Sequence, residues 1–239
     1  MFDTALAAGA TALAVAFCVA TWERWLLRRR RHELAWSASF ACYALASLAL
    51  TLGIAGDWNA TVFRLFYAAG AVATVPVLGL GTVYLHFGRR ADALALGIVV
   101  VTAIGVGVAI GSPLTHTVPL HEIPQGSELF GAGPRIFAAV GSGVGALVVV
   151  GGALYSAVRR RAPLANALIA LGVIANGASG LLNSLVGETR GFVVMLAVGI
   201  TLLFGGFLTA TASPTRSVSD ARTSTSASRR RTARSTDPT

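Results

Sequence analysis

The chain contains no lysine, only two cysteines, and few charges of any kind: Asp, Glu, Lys and Arg make up 12% of its 239 residues. Each scarcity excludes something. Without lysine there is no retinal-type Schiff base, so a count of seven spans does not imply a photoreceptor. Cys18 and Cys42 lie in apolar stretches and form neither a disulfide framework nor a metal-ligand spacing; they read as free, buried thiols. No Asp or Glu falls in the middle of an apolar stretch, which removes the usual intramembrane proton relay and the aspartyl protease pair. No pair of histidines stands at membrane depth for a b-type haem. Nor do a nucleophile, a base and an orienting acid occur at a recognisable spacing. The expectation is a protein without enzymatic activity, catalytic residues, cofactor or metal.

What is abundant is apolar, at 54% of the residues and a mean hydropathy of +0.70. The charged share is about half that of soluble chains, and the apolar residues come in blocks of roughly 20, the length that crosses about 30 Å of hydrocarbon. A soluble bundle would alternate apolar stripes with polar faces instead. The blocks predict an all-α membrane protein, a bundle of seven transmembrane helices over 4–22, 34–54, 61–87, 93–111, 135–158, 164–185 and 191–211. The first reads as a retained helix, because the leader Met1-Phe2-Asp3 has no positive charge and the basic cluster follows the apolar run.

Arginine placement orients the bundle. Five arginines follow the first span, two (Arg89, Arg90) the third, three (Arg159 to Arg161) the fifth, and six lie beyond residue 212. Seven crossings put all sixteen on one side, the cytoplasm by the positive-inside rule, with the N-terminus outside. The high arginine, alanine and glycine content points to a GC-rich prokaryote, hence a multi-pass protein of its plasma (inner) membrane. Trp22, Trp25 and Trp36 gather at the arginine side and Trp58 opposite, as interface anchors. Residues 1–211 form the transmembrane domain; 212–239, rich in Ser, Thr and Arg, bury too little to fold and are expected to be a disordered cytoplasmic tail. The basic charge serves the lipid bilayer as partner, not nucleic acid.

An internal repeat pairs spans three and five at a shift of 71 residues. Asp57 meets Glu128, Arg64 meets Arg135, Phe66 meets Phe137, Gly70 meets Gly141, Gly81 meets Gly152, and Tyr84 meets Tyr155. Span seven opens similarly with Glu188, Arg190 and Phe192, then loses register. Parallel repeats of this kind occur in transporters.

Arg64, Arg135 and Arg190 are the three arginines outside the cytoplasmic set, each at the outer entrance of an odd-numbered span. They either snorkel to headgroups or form a guanidinium ring at an outward-facing vestibule, where an anionic lipid or a small anionic solute would bind. Span two carries Ser39, Tyr43, Ser47 and Thr51 on one face; span six carries Asn176, Ser179 and Asn183 on one face. Polar groups in hydrocarbon need partners, so both stripes face the bundle interior, as interhelical hydrogen bonds or as a cavity lining that Pro76 helps to open. Gly107/Gly111 and Gly141/Gly145 have helix-packing spacing. His116, His121 and Glu122 in the outer loop 112–134 lack the HExxH spacing of a catalytic zinc site and read as solvated. In span count the architecture resembles small sugar transporters of the three-one-three plan, but the repeat pairs spans three and five and no matching set of prolines is present. The residues thus leave two functions: a small permease or solute- or lipid-binding membrane protein, or a non-transporting sensor, scaffold or assembly factor.

Overall fold

The computed structural model describes residues 2–120, 122–159, 163–186 and 189–211, with side chains described except at 181–186, 189–190 and 210–211. The expected tail (212–239), His121 and the side chains of Asn183 and Arg190 lie outside the described residues. Among the described residues there is no strand, only an isolated bridge between Leu114 and Phe130.

Two helices, α1 (Phe2–Arg28) and α2 (Arg31–Ala55), form a hairpin joined by Arg29 and Arg30. Arg29 takes a φ of 51°, a left-handed conformation that costs a residue with a Cβ on the order of 1–2 kcal/mol. Its amide donates to Trp25 O at 2.7 Å, and its guanidinium lies 4.8 Å above the Trp25 ring, which offsets that cost. The next helix, α3 (Ala60–Phe66), starts at Asn59, whose side chain accepts from the amides of Thr61 and Val62 at 3.0 Å each.

A π-helical segment, Tyr67–Thr74, continues α3 and leads into α4 (Val75–Phe87). Pro76 explains it. Proline has no amide hydrogen, and in the i→i+5 register the carbonyl left unserved is that of Ala71. Ser142 Oγ of α7 (Ala132–Val158) donates to this carbonyl at 2.7 Å, and Ser39 Oγ of α2 donates to Thr74 O at 2.7 Å. The carbonyl freed at Pro76 is thus served by a hydroxyl of α7, and a hydroxyl of α2 bonds the last carbonyl of the π segment.

Residues Ala60–Gly111 make one apolar stretch of 52 residues, about 78 Å if straight, more than twice a hydrocarbon core. It folds back at Gly88, whose φ of +55° favours glycine. A 3₁₀ turn (Gly88–Ala91) follows, and α5 (Asp92–Gly111) then runs beside α3 and α4: Leu80 and Tyr84 pack on Ala95 and Ile98, Val72 approaches Gly105, and Arg64 reaches Ile110 O. A short α6 (Gly126–Leu129) lies in the loop before α7; α8 (Pro163–Val186) and α9 (Thr189–Thr211) form the last hairpin.

Among the described residues, six helical stretches are long and apolar enough to cross a membrane, the 52-residue one among them. The exterior is apolar too. On α5 only Ala95, Gly105 and Ala109 are buried, while Leu96, Val101 and Ile104 are more than half exposed. A soluble protein does not leave such continuous apolar faces in water; these are the surfaces of a membrane-embedded bundle.

Inside, helices meet on small residues. A Cβ on Gly79 would stand 3.1 Å from Gly145 Cα, and one on Gly172 2.8 Å from Gly199 O. The Gly141/Gly145 pair forms the seam of α7 against Pro76 and Val75, whereas Gly107 and Gly111 have nothing within 4 Å. Residues paired by the 71-residue shift sit in comparable seams. Gly70 and Gly81 pack on Ala46 and Trp36 of α2; Gly141 and Gly152 pack on Pro76 and Thr82 of α4. Tyr84 lies beneath Arg31, and Tyr155 lies edge-on to His86, 5.5 Å away.

Candidate functional site: a cavity capped by a loop

The two ends of the bundle differ. At the arginine-rich end, Phe17 is fully buried and stacks on Phe40 at 4.1 Å, with Phe204 and Phe207 each 4.9 Å away. Beyond that aromatic layer two ion pairs close the end. Arg31 pairs with Asp92, joining the start of α2 to the start of α5. Arg24 Nε lies 3.4 Å from Oε1 of Glu33, a carboxylate with no exposed surface whose other oxygen has no partner among the described residues.

The opposite half holds a partly open cavity of about 520 Å³, within the range that accommodates small organic ligands. Each helix contributes one face. From α2 come Ser39, Phe40, Tyr43 and Ser47; from α3 to α4, Phe66, Tyr67, Gly70, Thr74 and Leu78; from α7, Arg135, Ala139, Ser142 and Ala146. On α8 the residues Val173, Asn176, Gly177 and Gly180 follow the i, i+3, i+4, i+7 pattern of one face, with Ser179 beside them, and α9 adds Phe192, Leu196 and Leu203. Added Cβ atoms at Gly177 and Gly180 would meet nothing within 4 Å, so these glycines leave space rather than fill a seam.

The loop over the cavity contributes Pro124, Gln125, Gly126 and Ser127. It is held down by burial of Ile123, Pro124, Leu129 and Phe130; Phe130 stacks on Phe63 at 5.2 Å and leans on Tyr67 at 4.9 Å. Gly126 lies so close to the Tyr67 ring that a Cβ would stand 2.1 Å from Cε2. Thr115 braces the loop by donating from its amide to Leu129 O (3.0 Å) and from Oγ1 to Glu128 O (2.6 Å). His116 Nδ1 also turns back to Glu128 O, at 3.0 Å.

The hydroxyls in the wall are spent on backbone. Ser39 donates to Thr74 O, Ser47 to Tyr43 O (2.8 Å), Ser142 to Ala71 O, Thr74 to Ala69 O (2.7 Å) and Ser179 to Asn176 O (2.7 Å). Tyr43 OH, 8% exposed, stands 3.1 Å from Asn176 Oδ1 and 3.0 Å from Leu196 O, linking α2, α8 and α9. Such bonds satisfy polar groups that hydrocarbon cannot.

Of the residues singled out in the sequence, Tyr43, Ser47, Asn176, Ser179 and Arg135 line this one cavity. Arg64 does not. Its guanidinium donates to Ile110 O at the end of α5, outside the wall. Arg190 and Asn183 fall outside the described side chains. Trp58 is 2% exposed, set against Gly53 and 5.7 Å from Phe66, so it is a core residue and not an interface anchor. Sequence reasoning missed Gln125, Ser127, Gly177 and Gly180. For the α8 glycines a signal existed, since they share the helical face of Asn176; for the loop residues there was none.

No protein-family model matches the chain, and neither a curated protein nor a solved structure does. Geometry therefore carries the functional reading alone.

Proposed function

We propose that the chain crosses a prokaryotic cell membrane seven times, arginine-rich end in the cytoplasm, and that its outer half binds a small solute as a permease or solute-binding protein. The cavity carries this reading: a void of about 520 Å³ with polar groups on several helices, under a braced loop. The count of seven follows from dividing the 52-residue stretch at Gly88 into two crossings. The comparable seams of spans three and five favour a duplication. The role is binding or carrying, not catalysis.

Two measurements test it. In a chain carrying Cys18→Ala and Cys42→Ala, Thr117→Cys reacts with an impermeant maleimide in intact cells, and Arg89→Cys reacts only after permeabilisation; the reverse pattern refutes the orientation. In detergent, a panel of small organic acids, sugars and amino acids contains a compound that raises the Tm of the wild type but not of Gly180→Leu. If no compound separates the two, the cavity is not a binding site.

A second reading, a non-transporting sensor or assembly factor, is favoured by the Phe17 layer and the ion pairs that close the arginine-rich end. The stabilising compound, radiolabelled, accumulates in proteoliposomes if the protein is a permease and binds without uptake if it is a sensor.

A further inference from the structure

The cavity holds an uneven distribution of charge and hydrogen-bond donors. Arg135 is the only charged side chain among its described lining residues; it is exposed and stands in the first turn of α7, directly after the loop. Among the described lining residues no carboxylate answers it. Deeper, the hydroxyls of Ser39, Thr74 and Ser142 have given their protons to backbone carbonyls, so they offer no free donor to an anion. The rest of the inner surface is mostly apolar, with Phe40, Leu78 and Leu203 in it; its other polar side chains include Tyr43 and Asn176, joined by the bond from Tyr43 OH to Asn176 Oδ1. Arg135 is thus the one full positive charge that the described wall offers an anion, and the leucines and Phe40 offer contact to an apolar group.

From this we infer that the cavity binds an amphipathic monocarboxylate, with its carboxylate on Arg135 and its apolar body directed inward toward Leu78. The inference rests on the cavity being a binding site, as proposed above. Guanidinium and carboxylate pair through two parallel N–H···O bonds. A cationic ligand meets the like charge of Arg135 with no carboxylate in the wall to compensate. One positive charge matches one negative charge, which separates this class from di- and tricarboxylates. The volume fits one ring or a short chain rather than a diacyl lipid.

The test uses the full chain in nanodiscs and three probes that share one body: phenylpropionate, phenylpropanamide and phenylpropylamine. Equilibrium binding is measured by calorimetry on the wild type, Arg135→Ala, Arg135→Lys, Arg64→Ala and Gly180→Leu, each first shown by its Tm to be folded. Phenylpropionate is expected to bind at least about tenfold more tightly than the amide or the amine. Arg135→Ala removes that preference, Arg135→Lys restores part of it, Arg64→Ala leaves it intact, and Gly180→Leu abolishes binding. Equal binding of the amide or amine, still lost in Gly180→Leu, overturns the carboxylate class and leaves the cavity reading standing. Binding of none of the three, or binding that survives Gly180→Leu, overturns both. Native mass spectrometry that finds a diacyl phospholipid on the wild type but not on Gly180→Leu assigns the cavity to lipid and overturns the inference as well.

Discussion

The two halves of this bundle are built from the same helices yet solve opposite problems. Toward the arginine-rich end the interior is occupied by rings: Phe40, Phe204 and Phe207 each pack within 4.9 Å of Phe17. Toward the other end the positions of α7 and α8 that line the cavity include Ala139, Ala146, Gly177 and Gly180, and space remains. Side-chain volume at inward positions, not backbone path, separates a plug from a cavity. The same holds for glycine. Gly145 has a carbonyl oxygen 2.6 Å from where its Cβ would be, whereas Gly180 has nothing within 4 Å. Identical residues make a seam in one place and a void in the other.

The contrast can be broken most severely at the plug. Phe17→Ala removes the ring on which three others rest and is expected to cost about 3–5 kcal/mol, read from reversible unfolding in mixed micelles; a loss below 1 kcal/mol would show that the layer does not hold the helices together. At the seam, Gly145→Ala forces α7 away from Val75 and costs about 1–3 kcal/mol. Gly180→Ala, by comparison, leaves stability unchanged or slightly raised through helix propensity. If both glycines respond alike, the distinction between seam and void is wrong.

The ion pairs give the next step down. Arg24→Ala strands the buried Glu33 carboxylate and costs roughly 1–3 kcal/mol, less than a fully enclosed pair because Arg24 is 26% exposed. Arg31→Ala breaks a pair in which both side chains are more than 40% exposed, and is expected to cost less than Arg24→Ala, with the difference from wild type vanishing in high salt. The smallest clear effect is expected from Ser142→Ala. It frees the Ala71 carbonyl within the π segment, at about 0.6 kcal/mol, the order measured for an interhelical hydrogen bond in a membrane. Stabilisation by this change would mean that Pro76 needs no partner helix.

Much of the helical plan was readable because helix periodicity is local. Ser39, Tyr43 and Ser47 recur every four residues, and Asn176 and Ser179 three apart, so each set had to share a face. Which residues complete the wall was not readable, since Gln125 and Ser127 reach it through a loop whose path depends on burying Leu129 and Phe130. Arg64 and Arg135 make the point most sharply. They occupy matched positions, each two residues before a phenylalanine, and nothing in their neighbourhoods tells them apart. Only the packing of α5 beside α3 gives Arg64 the Ile110 carbonyl, while Arg135 faces the cavity. Trp58 misled for the same reason. Its place near a helix end suggested a headgroup anchor, but Gly53 leaves a hollow that takes the indole into the core.

By itself, then, the sequence determined a chain of long apolar helices, the inward stripes on two of them, and arginines gathered at one end. These follow from the cost of placing backbone and charge in hydrocarbon, which acts on each segment separately. The tertiary structure alone decided where glycine closes a seam and where it leaves a cavity, how Pro76 is accommodated, and which of the outer arginines meets the void. Those outcomes depend on which helices become neighbours, a relation between segments that no single stretch of sequence contains.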